Sequence, residues 1–384
     1  MEMPFIGGAT RKRRNQMVAV DLGTRTTKAV LLERRGEVLA LVRYAMLDAP
    51  IYDKKLSTDA LSDHLRRVAA ALGGGIKYTT LAIGLDDAIV RQVEFPQIPV
   101  EEMRMVLKNN TKGYLQQDLP DHVFDCHIFP PKATAPGKPA DSAKPPGVPK
   151  LKVLVAGARR QLVDDFQMAA KNAGLAAECI VPGIIAPVNA FEMAMPQVFA
   201  NESVALVDIG FKHSSICVLD CGEPVLIRVV NIGGDKLTAG LAEAMNITYA
   251  DAEGVKLGLA PKNLSEPDGE AAASADKLGM QADASGRQVS AFDAQVVPLG
   301  RELRASLDFF EHQQDRPVTQ IFVSGAAAES AVFLEMLHAE MIAECKTWNP
   351  MSFLQLALPG QQAIEVEQVG PQLCVAIGAA VAAL

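Results

Sequence analysis

The stretch VAVDLGTRTTKAVLLERRGEVLALV, Val18 to Val42, runs apolar into Asp21-Leu22-Gly23, turns polar for five residues and then resumes an apolar run. A hairpin between two strands needs only a residue tolerant of positive φ, and Gly23 supplies it. It needs neither an acid at the strand end nor a lysine seven positions later. Asp21, a turn of Gly and hydroxyl residues, and Lys28 are what a magnesium-bound polyphosphate asks for. Backbone N–H groups meet phosphate oxygens, a cation balances charge, and a carboxylate orders the metal's water shell. A single copy would say little.

The pattern recurs. VALVDIGFKHSSICVLDCGEPVLIRVV, Val204 to Val230, again has an apolar strand, an Asp-Ile-Gly, a polar hairpin, a second strand, a Gly-Glu turn and a third strand. Asp208 stands 187 positions after Asp21, and the Gly of the second turn, Gly36 or Gly222, falls 15 or 14 residues beyond its Asp. A repeated unit of this length predicts two related lobes, and two such hairpins suit a chain of phosphates.

The rest of the chain is consistent with that frame. Its 384 residues, 49% hydrophobic and 21% charged, suffice for two domains or one bilobed one. A net charge of -8 argues against a nucleic-acid partner, which asks for a basic face. The six cysteines lack metal-like or disulfide-like spacing, and the six histidines are scattered, as expected in a reducing cytoplasm without a Cys/His metal centre. The N-terminus has no apolar stretch of signal-peptide type, and the apolar run Leu373 to Leu384 is too short to span a bilayer.

Periodicity assigns the elements between the repeats. STDALSDHLRRVAAALGGG puts Leu61, Leu65, Val68, Ala69 and Leu72 on one helical stripe, capped by Ser57 or Thr58 and stopped at Gly73. TTLAIGL, AIVRQVEF and HVFDCHIF read as strands, with PVEEMRMVLKNNTKGYL as a helix opened by Pro99. LKVLVAG, RRQLVDDFQMAAKNAG and AAECIV follow as strand, helix and strand, so the class is α/β. Residues 1–16, with Arg11, Lys12, Arg13 and Arg14 together, are expected to be a flexible tail. Residues 130–150, with seven prolines, are expected to form a disordered loop, and the polar stretch 264–290 a flexible insert.

Taken together these motifs resemble the actin-like ATPase superfamily. The Asp21 to Lys28 spacing is similar to its first phosphate loop, Asp208-Ile209-Gly210 to its second, and IFVSGAAAESAVFLEMLHAEM to its adenosine motif. Within it, LDDAIVRQVEFPQIPVEEMRMVLKNNTKGYLQQDLPDHVFDCHIF resembles the extra subdomain shared by the FtsA and PilM families. ELRASLDFFEHQQDRPVTQIFVSGAA, NPMSFLQL and VGPQLCVAIGAAVAAL resemble the C-terminal half of the PilM family of type IV pilus assembly proteins. The resemblance implies two ribonuclease H-like α/β lobes, 17–195 and 196–384, the first carrying the extra subdomain over about 85–180. It also implies ATP and Mg2+ as cofactors. Asp21 and Asp208 would order the metal, and Gly23, Thr24, Arg25, Thr26 and Lys28 would face phosphate with Gly210 closing the other side. Gly233 and Gly234 would offer open helix N–H groups to an anion. ADAEGVKLGL places Glu253 and Lys256 three apart on a helix, where the family reaches ribose and adenine, and Gly325 would let the backbone approach the nucleoside.

Two departures bear on activity. Ser324-Gly325-Ala326-Ala327 stands where relatives carry a run of glycines, so the adenine side is expected to be either tighter or weaker. CIVPGIIAPVNAF puts Pro182 and Gly183 where hydrolysing relatives carry a water-orienting Glu or Gln, so weak or no hydrolysis is expected. The resemblance implies a cytoplasmic scaffold of type IV pilus or related secretion assembly machinery at the inner face of the membrane, bound to a short N-terminal peptide of a PilN-like membrane protein and to other pilus components. It is peripheral to the membrane through these partners and capable of self-association. An actin-fold sugar or small-molecule kinase and an FtsA-like division protein are the alternatives. The first lacks an identifiable base and the second lacks a C-terminal amphipathic anchor.

Overall fold

In the computed structural model the residues described are 14–50, 56–130, 150–258 and 275–384, with side chains from 286 onward in the last stretch. The chain divides into two units. The first runs to Met193 and takes back Phe353–Ala363 and Val375–Leu384, and the second comprises Ala194–Ser352 and Ile364–Cys374.

Unit one is built on β1 (Gln16–Leu22), β2 (Thr26–Arg35), β3 (Val38–Asp48), α1 (Thr58–Ala71) and β4 (Tyr78–Ile83). After an excursion described below come α4 (Arg160–Asn172), β8 (Ala176–Pro182) and α5 (Ala186–Ala194). Its sheet has the order β14-β3-β2-β1-β4-β8, where β14 (Gln355–Leu356) is an edge added by the returning chain. The α1 stripe forms as its spacing predicts. Leu61, Leu65, Val68 and Leu72 are buried, Ser57 caps the helix by accepting from Ala60 N, and α4 contributes Val163, Ala169 and Ala170 to the same core. Each buried Leu or Val among them stabilises the fold by about 1.5–3 kcal/mol relative to exposure.

Unit two repeats the plan with β9 (Ser203–Ile209), β10 (Ser214–Asp220), β11 (Glu223–Val230), α7 (Gly234–Met245), α8 (Tyr249–Gly258), α9 (Ala275–Gln314), β12 (Gln320–Gly325), α10 (Ala331–Ala339) and β13 (Glu344–Thr347). Its sheet order is β11-β10-β9-β12-β13. Leaving β14 aside, the two orders correspond strand for strand. The first three strands are antiparallel, and the last two run parallel to β1 or β9. The second-turn glycines both need positive φ, +64° at Gly36 and +83° at Gly222. Phe292, Val296, Leu299, Leu303, Leu307 and Phe310 of α9 fill the core under this sheet.

The excursion is a small α/β body of its own: β5 (Ala88–Pro96), α2 (Val100–Asn109), α3 (Thr111–Leu115), β6 (His122–Ile128) and β7 (Lys150–Arg159), with sheet order β5-β7-β6. Phe95, Met103, Leu107, Leu115, Phe124 and Val155 make its core, and Phe95 stacks on Tyr114 at 4.1 Å.

Several expectations need correction here. The subdomain ends at Arg159 rather than near 180, because α4 packs on α1 and β8 pairs with β4 in the main sheet. The single helix expected over Pro99 to Leu115 breaks at Asn110, whose φ of -144° leaves the helix and whose side chain accepts from Gly113 N to start α3. Arg14, expected in the tail, lies 3.6 Å over the Tyr78 ring and pairs with Glu178, and β1 begins at Gln16. The rest of the tail, residues 1–13, lies outside the described residues, as do 131–149 and 259–274. Residues 275–290 of the expected insert are helical as the start of α9.

Candidate functional site

The first hairpin joins β1 to β2. Its last register pair is Leu22 with Thr27, leaving Gly23, Thr24, Arg25 and Thr26 as the connection, with Thr24 and Arg25 exposed. The close approach explains the glycine, since a Cβ on Gly23 would stand 2.5 Å from the Thr26 carbonyl oxygen. The antiparallel register of β1 and β2 places Lys28 directly opposite Asp21, and Lys28 Nζ lies 3.3 Å from Asp21 Oδ2 with both side chains largely buried. Arg25 O accepts from Ala49 N at 2.9 Å, which ties the turn to the end of β3. Behind the turn, buried Thr27 meets buried His64 of α1, with Oγ1 and Nε2 2.8 Å apart.

β1, β4 and β8 are parallel, so their carboxyl ends gather on the side of this hairpin. Gly183 N donates to Ile83 O at 3.0 Å, which puts Pro182 and Gly183 at the end of β8 beside β4. Neither side chain has a polar atom. The turn after β4 carries Asp87, whose carboxyl is pushed above the usual range by burial and by neighbouring Asp86, against the opposing pull of Arg159. Sequence reasoning passed over Asp87, because an acid in a short turn carries no pattern.

The second hairpin, between Ile209 and Ser214, has a connection of the same length. Gly210 N donates to His213 O at 3.0 Å, and a Cβ on Gly210 would stand 2.6 Å from that oxygen. Asp208 Oδ1 receives Ser324 Oγ at 2.8 Å and Cys374 Sγ at 3.3 Å. Gly325 pairs with Ile209, has φ of +90°, and lies so close that any Cβ would strike the Ile209 carbonyl.

The start of α7 differs from expectation. Gly234 N donates to Gly210 O at 2.9 Å and Asp235 N to Phe211 O at 2.8 Å. Of the two glycine N–H groups expected to stand open for an anion, that of Gly234 is therefore bonded to the hairpin. Gly233 and Gly234 let α7 dock against that turn, and a Cβ on Gly233 would overlap the Phe211 and Gly210 carbonyls. Glu253 and Lys256 do sit on one face of α8, 2.7 Å apart. Both reach Thr238 of α7: its hydroxyl donates to Glu253 Oε2 at 2.6 Å and accepts from Lys256 Nζ at 2.7 Å. Tyr249 donates its phenol hydrogen to Asp235 Oδ1 at 2.8 Å, and burial together with that bond pushes the phenol up. Thr238 and Tyr249 have no signature in the sequence, because their partners lie on a different helix.

Taken unit by unit, each half of the chain has features that suit a nucleotide with its metal. The glycines at 23, 210 and 325 hold backbone where no Cβ fits. Asp21 and Asp208 are partly solvent-facing carboxylates on equivalent strands, and a polar cluster stands at α7 and α8. Among the described residues, no group of three or more His, Cys, Asp or Glu side chains could hold a metal by itself.

A sequence model of the family described as type IV pilus assembly protein PilM matches residues 19–266, and one described as cell division protein FtsA matches 205–376. Among solved structures the chain is similar to a PilM-PilN type IV pilus biogenesis complex, at 20% identity and a TM-score of 0.75 over 97% of this chain and 99% of that one. It is also similar to ethanolamine utilization protein EutJ from Carboxydothermus hydrogenoformans, at 15% identity and a TM-score of 0.49 over 98% and 92%. The fold is that of the actin-like ATPases.

Proposed function

This chain belongs to the family of type IV pilus assembly proteins PilM, and on that premise we propose that it is an ATP-binding scaffold of the pilus assembly machinery. The observation that carries the nucleotide part is the repeated hairpin. Each unit presents Asp on its first strand followed by a glycine turn too tight for a side chain, in the same sheet order. Asp21 and Asp208 would orient magnesium-bound water. Gly23, Thr24, Arg25, Thr26, Lys28 and Gly210 would lie along the phosphates, and Gly325 with Glu253 and Lys256 along the nucleoside. When bound, magnesium offsets the charge of the triphosphate. Gly234 would act through the hairpin to which its N–H is bonded, and Gly233 would lie along the phosphates.

Hydrolysis is not part of the proposed role. Pro182 and Gly183 offer no side chain to hold an attacking water. The protein works by differential binding: nucleotide favours one arrangement of the chain, and that arrangement binds a partner. The partner is the short N-terminal cytoplasmic peptide of a membrane protein of PilN type, since the similar solved complex is one of PilM with PilN. The small subdomain supports this assignment, because β5 and β6 are both edge strands to which an extended peptide can add. Among the described residues, no helix is long and apolar enough to cross a membrane. The protein would then sit in the cytoplasm at the inner face of the membrane through its partners.

Thermal scans test the nucleotide part. Mg-ATP should raise the melting temperature, as a ligand of the native state does by mass action. Asp21→Ala and Asp208→Ala should each diminish the rise. No effect on the wild type would refute nucleotide binding. Vigorous steady-state turnover abolished by Asp208→Ala would replace the scaffold by an enzyme. Peptide affinity unchanged by ATP would remove nucleotide from partner binding.

A further inference from the structure

Asp208 is half-buried at the carboxyl end of β9, and its two oxygens are treated differently. Oδ1 lies 2.8 Å from Ser324 Oγ and 3.3 Å from Cys374 Sγ, while those two donors are 3.4 Å from each other. Among the described residues, none is recorded as donating to Oδ2 or pairing with it. Ser324 and Cys374 are 2% and 1% exposed, so neither donor has water as an alternative partner.

They also come from separate rigid places. Ser324 is on β12, where it pairs in register with Asp208 itself. Cys374 opens α12 (Cys374–Val381), directly after the 3-10 turn Gly370–Leu373. A surface aspartate samples several rotamers. One whose Oδ1 is fixed from two directions points Oδ2 one way, and no ordering cost remains when a ligand arrives.

We infer that Ser324 and Cys374 are positioning residues that lock Asp208 Oδ1, so that Oδ2 alone is presented to the water shell of a nucleotide-bound divalent cation. The inference rests on the nucleotide reading above and adds to it the two groups that make Asp208 selective for the metal form. The Ser324 hydroxyl and Cys374 thiol both act as hydrogen donors, and no covalent chemistry is involved. They also explain why a buried polar pair is kept in an otherwise apolar stretch, between Val323 and Gly325 on one side and beside Val375 on the other.

The lock makes a prediction that a packing role does not. Nucleotide affinity is measured by titration with ATP in EDTA and again with Mg-ATP, on wild type, Ser324→Ala, Cys374→Ala, Cys374→Ser and Asp208→Asn. Melting temperatures without ligand serve as the folding control. The expected result is that Ser324→Ala and Cys374→Ala each cut the gain from magnesium, taken as the ratio of Mg-ATP to metal-free ATP affinity within the same variant, about tenfold. Cys374→Ser, which keeps a donor, should restore most of it. If both alanine variants lower the ligand-free melting temperature yet keep the full gain from magnesium while Asp208→Asn loses it, the positioning role is wrong and nucleotide binding through Asp208 stands. If the wild type binds ATP equally in EDTA and with magnesium, this inference falls and the nucleotide reading stands; if it binds neither form, both fall.

Discussion

Thr27 Oγ1 and His64 Nε2 lie 2.8 Å apart beneath the first hairpin, in a place from which both side chains are shut off from solvent. Arg67 Nη2 stands 3.0 Å from the other ring nitrogen. A guanidinium can only donate, so Nδ1 accepts and Nε2 carries the hydrogen that it donates to Thr27. The imidazole is neutral in this arrangement. Burial first and the Arg67 charge second hold it below the usual histidine range.

A pH dependence follows from that pair. The folded pKa is depressed, so the unfolded chain takes up the proton first as pH falls. The stabilisation from His64 is complete above the unfolded value of about 6.5 and is lost as pH falls from there toward the folded value. Urea midpoints measured from pH 7.5 to 5 should decline on the acid side, and His64→Gln should flatten that part of the curve. A variant with an unchanged acid limb would show that His64 does not titrate against folding.

The hairpin repeat was legible because its pattern is local. An apolar run leads up to Asp-x-Gly in both copies, and the hairpin expected there is found, with Asp21 opposite Lys28 and Asp208 opposite Ser215. The partners of those aspartates were not legible. Ser324 and Cys374 lie 116 and 166 residues from Asp208, and no periodicity connects them. The same limit explains the α7 donors, which a sequence shows only as glycines at a helix start and which a folded hairpin occupies. Asn110 was misread for a different reason. Its neighbours keep helical spacing on both sides, while its side chain caps a new helix.

Gly325 tests how tightly β12 must approach the second hairpin. Alanine there meets two obstacles, a φ of +90° and a collision with the Ile209 carbonyl. Gly36 has a φ of +64° with open space around it. Gly325→Ala should therefore cost ~3 kcal/mol, against ~1 kcal/mol for Gly36→Ala. Only Gly325→Ala should also reduce the nucleotide-induced melting shift. Equal losses for the two variants would mean that β12 can move away from Ile209 freely.

In the small subdomain, Asp125 is buried and takes both Arg104 Nε, at 2.9 Å, and Nη2, at 2.5 Å, on Oδ1. Cys126 N adds a third bond at 2.8 Å. Burial still outweighs these partners and leaves the carboxyl above its usual range. Arg104→Met strands a buried charge and should cost ~2 kcal/mol at pH 7, measured by urea denaturation. With the folded pKa raised, the native state holds its proton to higher pH than the unfolded chain. The loss should then shrink as pH falls toward the unfolded value of about 3.9. A deficit that stays constant from pH 7 to 4.5 would point to lost packing by the Arg104 stem instead.

Thr238 joins two helices through one hydroxyl. It is fully buried on α7, its oxygen accepts from Lys256 Nζ, and its hydrogen goes to Glu253 Oε2 on α8. An exposed Glu-Lys pair three residues apart contributes only a few tenths of a kcal/mol. This pair is mostly buried, and it is held at a fixed point of α7 four residues after Gly234. Thr238→Val keeps the shape and removes the hydroxyl, so Glu253 and Lys256 each lose a bond that water reaches poorly. The expected cost is ~1 kcal/mol in unfolding free energy. If the pair faces the nucleoside as proposed, affinity for adenosine alone should fall several-fold while affinity for inorganic triphosphate stays at the wild-type value. Thr238→Ser, which retains the hydroxyl, should recover the adenosine affinity. A parallel loss for both ligands would locate the effect in the hairpin that α7 supports, through Gly234 and Asp235, and would take Glu253 and Lys256 out of nucleoside recognition.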